Sequence, residues 1–428
     1  MKYPFWLKKM LAESGLGKWI PGASNLFVSP NDILGACSDT VLHGDFESLV
    51  NPSLTPAPPS PDFLDLSSDY IQGLGMPVHV LPRTLAVKDF SPPGGLSETR
   101  EAVSNYLEHE YGAFFDPTSE LLITNGINHG IKTVLDSFVN PGENVLLPDP
   151  CPPDHELLVR NHGANPIWIT LRQEDGKLLL SELELKKRLR SSRVAIFSCP
   201  SNPTGGVFEQ ETFKKIGSYA LKNNCILLWD NSLLGLQLDG TPIHPGNLDE
   251  IRKVSLSTGS LSISHGISAA NVGWLTGNEN LIAPCKLLSR MRNENISLIG
   301  QQILIDSFNK PESKEWQMFI NRLKESRNHH FQKLSNLGLD PYWPAGGLFI
   351  WIPVWRKEIS STDFCKQLEQ KYKVLIKPGI YNGPSGEGYA RVSFGVDEGR
   401  SNEALRRLEL YLENKPLVVN NEISKLAA

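Results

Sequence analysis

The sequence has no apolar run of about eighteen residues, the length needed to cross a bilayer as a helix, so no membrane span is expected. The segment Met1–Ile20 scatters Lys2, Lys8, Lys9 and Lys18 among apolar residues. It has neither a continuous apolar core nor a small-residue cleavage site, and so does not read as a secretion signal. It reads as an amphipathic helix or arm packed on the body or on a partner subunit. An excess of basic residues is missing too: the formal net charge of −5 leaves no footprint for nucleic acid. Cysteine is sparse, six residues spread singly with no C-x-x-C pair, which argues against zinc and dithiol redox chemistry. Cys199 and Cys225 sit inside apolar runs and read as buried thiols, and a reducing, cytoplasmic compartment fits this usage. No metal-ligand spacing, G-x-S-x-G elbow, G-x-G-x-x-G loop or internal repeat is visible.

What is present is a chain of 428 residues, long enough for more than one domain. Residues 51–62, NPSLTPAPPSPD, are too proline-rich for helix or central strand and read as an extended link. Short apolar runs then alternate with helical stretches. Glu120–Asn125, Asn144–Pro148, Pro166–Thr170, Arg193–Ser198, Cys225–Asp230, Lys253–Thr258 and Val272–Thr276 read as strands. Helices are expected near 128–139 and 210–223. This is an α/β pattern: a mostly parallel sheet flanked by helices on both faces. Ligands of such sheets sit beyond the carboxyl ends of the strands, which directs attention to the loops after Thr124, Pro148, Ser198, Trp229 and Thr258. From about residue 280 long helices precede strands at 347–352, 374–377 and 389–394 and a helix near 361–372, an α+β unit. The expected division is an arm and link over 1–64, a large α/β domain over 65–300, a smaller α+β domain over 301–414 and a tail over 415–428.

Several stretches carry a resemblance when taken together in order. They are FSPPGGLSETREAV (90–103), LLITNGINHGIKTVL (121–135), NPGENVLLPDPCPP (140–153), SCPSNPTGGVF (198–208), LLWDNSLLGL (227–236), SLSISHGISAANVGW (260–274), PAGGLFIW (344–351) and YARVSFG (389–395). From about residue 65 to 412 the chain resembles the class I/II aminotransferases of pyridoxal-phosphate (PLP) fold type I. The resemblance implies that fold, and a homodimer with sites at the subunit interface.

It also implies roles for residues that are kept. Asn202 matches the asparagine that meets the cofactor's ring hydroxyl and lies near the substrate carboxylate; N-P-T-G is also good turn chemistry. Asp230 matches the acid that pairs with the pyridine nitrogen and makes PLP an electron sink. Arg391 matches the arginine that grips the substrate carboxylate, a task for which a planar guanidinium is suited. Gly126 and Asn128 open a helix whose N–H groups suit an anion. Ser260 and Ser262 match two hydroxyl positions.

Other positions depart from the pattern. Ile263 stands where the Schiff-base lysine belongs, and a side chain without nitrogen forms no imine and moves no proton. If the alignment shifts so that Thr258 takes that place, an amine is still missing. Asn271 replaces the phosphate-binding arginine of R-x-G-[WY], and Leu233 the tyrosine of D-x-x-Y. Pro152 falls where an aromatic stacks on the ring. Phe90 keeps the ring of a phosphate-binding tyrosine and loses its hydroxyl, and Ile127 is bulky where a small residue faces the phosphate. Charge-assisted bonds to phosphate contribute about 1.5–3 kcal/mol each. Losing the arginine and the hydroxyl would cost roughly 3–6 kcal/mol, on the order of 10²–10⁴ in affinity.

The expectation is therefore an aminotransferase fold with a vestigial cofactor pocket: no covalent cofactor, weak or non-covalent PLP or its amine form PMP at most, and no metal. Asp230 needs either a ligand partner or a proton in such a pocket. Asp230, His265 and Arg391 are the expected catalytic groups, and Asn202 and Arg391 the binders of a small-molecule carboxylate. His265 also reads as an ordinary loop histidine. His129 and the cluster Asp154–His155–Glu156 read as solvated polar residues. The expected function is a repurposed, PLP-independent enzyme of secondary metabolism. The alternatives are a non-catalytic homologue or partner subunit, and non-covalent use of PLP or PMP.

Overall fold

The computed structural model describes residues 62–76, 91–308, 314–354 and 359–414. The arm and proline-rich link up to residue 61, Phe90 and the tail from 415 lie outside these residues.

The central apolar runs form strands buried on both faces, so that alternate side chains serve two cores, while the edge run 165–170 is only partly buried. In chain order the strands are β1 (Leu64–Asp65), β2 (Leu121–Thr124), β3 (Asn144–Asp149), β4 (Asn165–Thr170), the hairpin β5 (Arg172–Glu174) and β6 (Lys177–Leu179), β7 (Val194–Ser198), β8 (Ile226–Asp230), β9 (Ser255–Ser260) and β10 (Gly273–Gly277). A seven-stranded sheet has the order β2-β10-β9-β8-β7-β3-β4. Its strands are parallel except β10, which is antiparallel to both β2 and β9. Val194, Ile196, Ile226 and Leu228 pack on one face with Ile131 and Val134 of helix Gly126–Phe138. Ala195, Phe197, Leu227 and Trp229 pack on the other with Phe213 and Ile216 of helix Gln210–Lys222. Each large side chain buried this way contributes about 1.5–3 kcal/mol.

The strand directions bring the carboxyl ends of β2, β3, β7, β8 and β9 to one edge, together with the start of β10. β9 runs to Ser260, past the expected end at Thr258, because its ladder with β10 continues through Gly259↔Trp274 and Ser260↔Gly273. Only glycine fits at 259, where a Cβ would come within 2.6 Å of the Trp274 ring. Residues 153–161 form a helix, which corrects the reading of Asp154–Glu156 as solvated loop. Pro153 needs no N–H in the first turn, and Asp154 and Glu156 suit its positive end.

A second core gathers Leu64 and Leu66 with Phe319 and Leu323 of helix Lys314–Asn336, Phe364 of helix Ser361–Tyr372 and Leu408 of helix Glu398–Leu412. Strand β1 pairs in parallel with β12 (Val374–Leu375). Strands β11 (Phe349–Pro353), β13 (Lys377–Pro378) and β14 (Tyr389–Ser393) form an antiparallel sheet of order β11-β14-β13. Among the described residues no helix is long and apolar enough to cross a membrane.

Candidate active site

At the carboxyl edge of the large sheet, Asp230 ends β8 with only 5% exposure. Its Oδ2 lies 3.0 Å from His155 Nε2, and its Oδ1 accepts the Ser232 N–H at 2.9 Å. His155 is buried in the first turn of helix Pro153–Asn161, and among the described residues its Nδ1 has no hydrogen-bond partner. With Nε2 against a carboxylate, the ring hydrogen is assigned to that nitrogen. Burial alone would raise the Asp230 pKa, but the bond and charge of His155 outweigh it and hold the acid below its usual range. This corrects the expectation that Asp230 needs a ligand or a proton: a histidine of the chain itself supplies the partner. The sequence did carry a sign of it, since Pro153, Asp154 and Glu156 are helix-start residues and place His155 on the first turn.

Facing the same region from the second core is Arg391, 1% exposed. It stands opposite Trp351 on one side and Lys377 on the other, so Arg391 and Lys377 project from one face of the antiparallel sheet. Phe349, two residues from Trp351, lies under the guanidinium at 3.9 Å from its carbon. Nη1 donates to Asn202 Oδ1 at 2.9 Å. Nη2 donates to the Ser67 carbonyl at 3.0 Å and pairs with Asp69 Oδ1 at 2.6 Å. The other oxygen of Asp69 receives Lys377 Nζ. Burial pushes Asp69 up, but Arg391 and Lys377 together hold its pKa down. Burial and the charge of Arg391 lower the Lys377 amine to about 8, against the attraction of Asp69.

The remaining positions have partners of their own. Gly126, in the left-handed region at φ 80°, opens helix Gly126–Phe138, followed by half-buried Ile127 and exposed Asn128. Asn128 Nδ2 donates to Asp154 Oδ2 at 3.2 Å. Asn271 presents its Oδ1 to this helix start, 3.0 Å from where a Cβ on Gly126 would lie. Ser260 Oγ accepts the Ser262 N–H at 3.3 Å. Ile263 packs on the second core, to which Leu233 also belongs. Pro152 is buried, in a loop pinned by Cys151 and Asn382, whose Nδ2 donates to the Cys151 carbonyl at 2.9 Å. His265 stacks on Trp316 at 5.4 Å and meets Ser264 Oγ through Nδ1. His129 is a helix residue, not a solvated loop residue: its Nδ1 accepts the Asn125 N–H and its Nε2 lies 3.2 Å from Glu294. The structure thus joins Arg391 to Asn202 and Asp230 to His155, and sets His265 in an aromatic group.

This donor set fits two ends of a PLP molecule. The ionised, buried Asp230 suits a protonated pyridine nitrogen, and the helix start at Gly126 with the Ser260 and Ser262 hydroxyls suits a phosphate. Ile263, which the resemblance sets at the aldehyde-linking position, carries only a hydrocarbon side chain.

Residues 83–408 match the family model for aminotransferase class I and II. Aromatic-amino-acid aminotransferase 2 of Thermococcus litoralis is 27% identical over 334 residues, 77% of this chain and 85% of its own length. LL-diaminopimelate aminotransferase of Halothermothrix orenii is 27% identical over 349 residues, 79% of this chain and 89% of its own. Among solved structures, the aromatic aminotransferase of Pyrococcus horikoshii superposes with a TM-score of 0.76 at 22% identity, covering 82% of this chain and 96% of that one. The fold is that of the PLP fold type I enzymes. These matches correct the expectation of a PLP-independent protein that takes PLP or PMP weakly at most: the cofactor they point to is PLP.

Proposed function

Because the chain belongs to the class I and II aminotransferase family, we propose that it is a PLP-using protein acting on a small carboxylate-bearing molecule, with no covalent link between cofactor and residue 263. The observation that carries this reading is the Asp230–His155 pair, 3.0 Å apart and buried. A carboxylate is costly at that depth, and this one is kept ionised where a protonated ring nitrogen would face it. When bound, PLP supplies an electron sink. His155 orients Asp230 through Nε2 and maintains its charge. Asn202 and Arg391 form the opposite wall and receive the carboxylate of the substrate. The helix start at Gly126 offers N–H groups to an anion without an arginine beside it, since Asn271 is neutral. Leu233 and Ile263 give an apolar wall and no proton carrier. The unit is a homodimer in this reading, with two such sites.

The test is the absorption spectrum of the purified chain titrated with PLP and then treated with borohydride. A saturable visible band should appear, and borohydride should fix none of it to the wild-type chain. Asp230→Asn should weaken the band, and Ile263→Lys should make it fixable. A band fixed to the wild-type chain sinks the missing-link part of the reading. No band at any PLP concentration sinks the cofactor part. Sedimentation of the same protein as a monomer would remove the dimer.

A further inference from the structure

Arg391 is the carboxylate-binding group of the reading above, yet a carboxylate of the chain already sits on it. Asp69 places Oδ1 against Nη2 at 2.6 Å and gives Oδ2 to Lys377. Among the described residues the groups in contact are two cations, Arg391 and Lys377, and one acid, Asp69, which leaves one positive charge uncompensated. Asp154, exposed and farther out, adds only a long-range attraction toward Lys377. A donor is also left over: Arg391 Nε is buried, and among the described residues it has no hydrogen-bond partner. A buried guanidinium with a spare N–H and surplus positive charge calls for a second anion. Asp69 itself is not sealed in, with its side chain 28% exposed, while Arg391 and Lys377 are 1% and 3% exposed.

We infer that Asp69 is a displaceable internal carboxylate that competes with the ligand carboxylate for Arg391. It thereby determines which ligands the site admits. An incoming carboxylate takes the Nη2 and Nε face of Arg391. Asp69 then keeps its other bond, to Lys377, so that two cations face two carboxylates and the local charge balances. Lys377 is the positioning residue that retains the displaced acid. A ligand offering one carboxylate and no other contact must break the Asp69–Arg391 pair to bind, so simple monocarboxylates bind poorly. Only a ligand with further contacts overcomes this competition.

The inference rests on Arg391 being the carboxylate end, but it is tested without any cofactor reaction. Propionate serves as the probe on the full chain, by calorimetric titration and by the rise of Tm with ligand, which follows binding to the folded state. Asp69→Asn should bind propionate on the order of 10–100-fold more tightly than wild type, the equivalent of one charge-assisted bond no longer contested. The Tm of this variant should rise with propionate while that of wild type stays nearly constant. Arg391→Lys in the Asp69→Asn background should abolish the gain, because the planar fork is lost. If Asp69→Asn fails to fold alone, Asp69→Asn with Lys377→Met removes the unpaired amine and permits the same titration. A folded Asp69 variant that binds propionate no better than wild type overturns the inference and makes Asp69 a fixed structural partner. The PLP titration of the same samples reports on the cofactor reading separately: a lost band with a propionate gain leaves this inference standing.

Discussion

Two carboxylates, buried Asp230 and partly exposed Asp69, have partners that differ in kind. Asp230 is met by a single titratable group, His155, and by a backbone N–H. Asp69 is met by two cations, one of them the guanidinium proposed above to hold a ligand carboxylate. In the reading proposed above, the first arrangement prepares an acid for a ligand group and the second uses an acid to occupy a ligand's place. Both acids have lowered pKa values, so the shift alone does not tell them apart. What separates them is whether the partner belongs to the scaffold behind the cleft or to the face that a ligand would use. A residue kept at its family position can therefore be kept and still be engaged elsewhere.

The comparison is broken most strongly at Arg391. Arg391→Leu leaves Asp69 held by Lys377 alone and removes a buried cation from Asn202 and Ser67, a loss of about 3–5 kcal/mol by analogy with other severed buried pairs. Urea unfolding of the variant reads it; a change below about 1 kcal/mol would mean that the ion cluster is not fully formed in solution. At the other end, His155→Leu removes the partner of Asp230 and should cost about 1–3 kcal/mol at neutral pH. Here the sign with pH is informative. In the wild type the depressed Asp230 contributes stability that is complete above the unfolded carboxyl pKa of about 3.9 and is lost only as pH falls through the lower folded value. In the variant the largest influence, burial, which raises the pKa, is opposed only by the Ser232 bonds, so stability is expected to increase as pH falls from neutral toward about 4. The deficit of His155→Leu should therefore shrink on mild acidification. A deficit that is constant from pH 7 to about 4 would show that histidine does not maintain the charge on Asp230.

Much of the frame was legible before the structure. The seven runs of the large sheet lie within two residues of their expected ends, because strands buried on both faces read as continuous apolar segments. Arg391, Asn202 and Asp230 were legible because each falls inside a long motif. The partners were not. Asp69 lies in L-S-S-D-Y, which has the composition of a surface turn, and it reaches Arg391 across 322 positions of chain. Lys377 had a faint signal: it ends the apolar run V-L-I-K before Pro378, and a charge at the end of a buried strand needs a partner. Which side chains of the small sheet share a face with Arg391 depends on how β13 and β14 register, and the side-chain alternation of each strand alone leaves that open. His265 had the opposite fate. Its closeness in sequence to Ile263 suggested the cleft, whereas Trp316, Phe308 and Tyr106 hold its ring in an aromatic group.

The smallest expected effect sharpens the same contrast, because only the Asp69 end contains a strained base. Lys377 has its pKa lowered to about 8 in the folded chain, while an unfolded lysine titrates near about 10.4. Between these values the unfolded chain binds the extra proton, so folding stability gained from this group rises with pH across that window. Below about 8 the amine is charged in both states and contributes no slope. Lys377→Met should erase the rise, which is at most about 3 kcal/mol from one end of the window to the other. Guanidinium unfolding of wild type and variant at about pH 7, 8.5 and 10, one point below that window and two within it, gives the difference directly. If the two curves keep a constant separation, the amine is not under strain beside Arg391, and Lys377 loses its role as the group that retains a displaced Asp69.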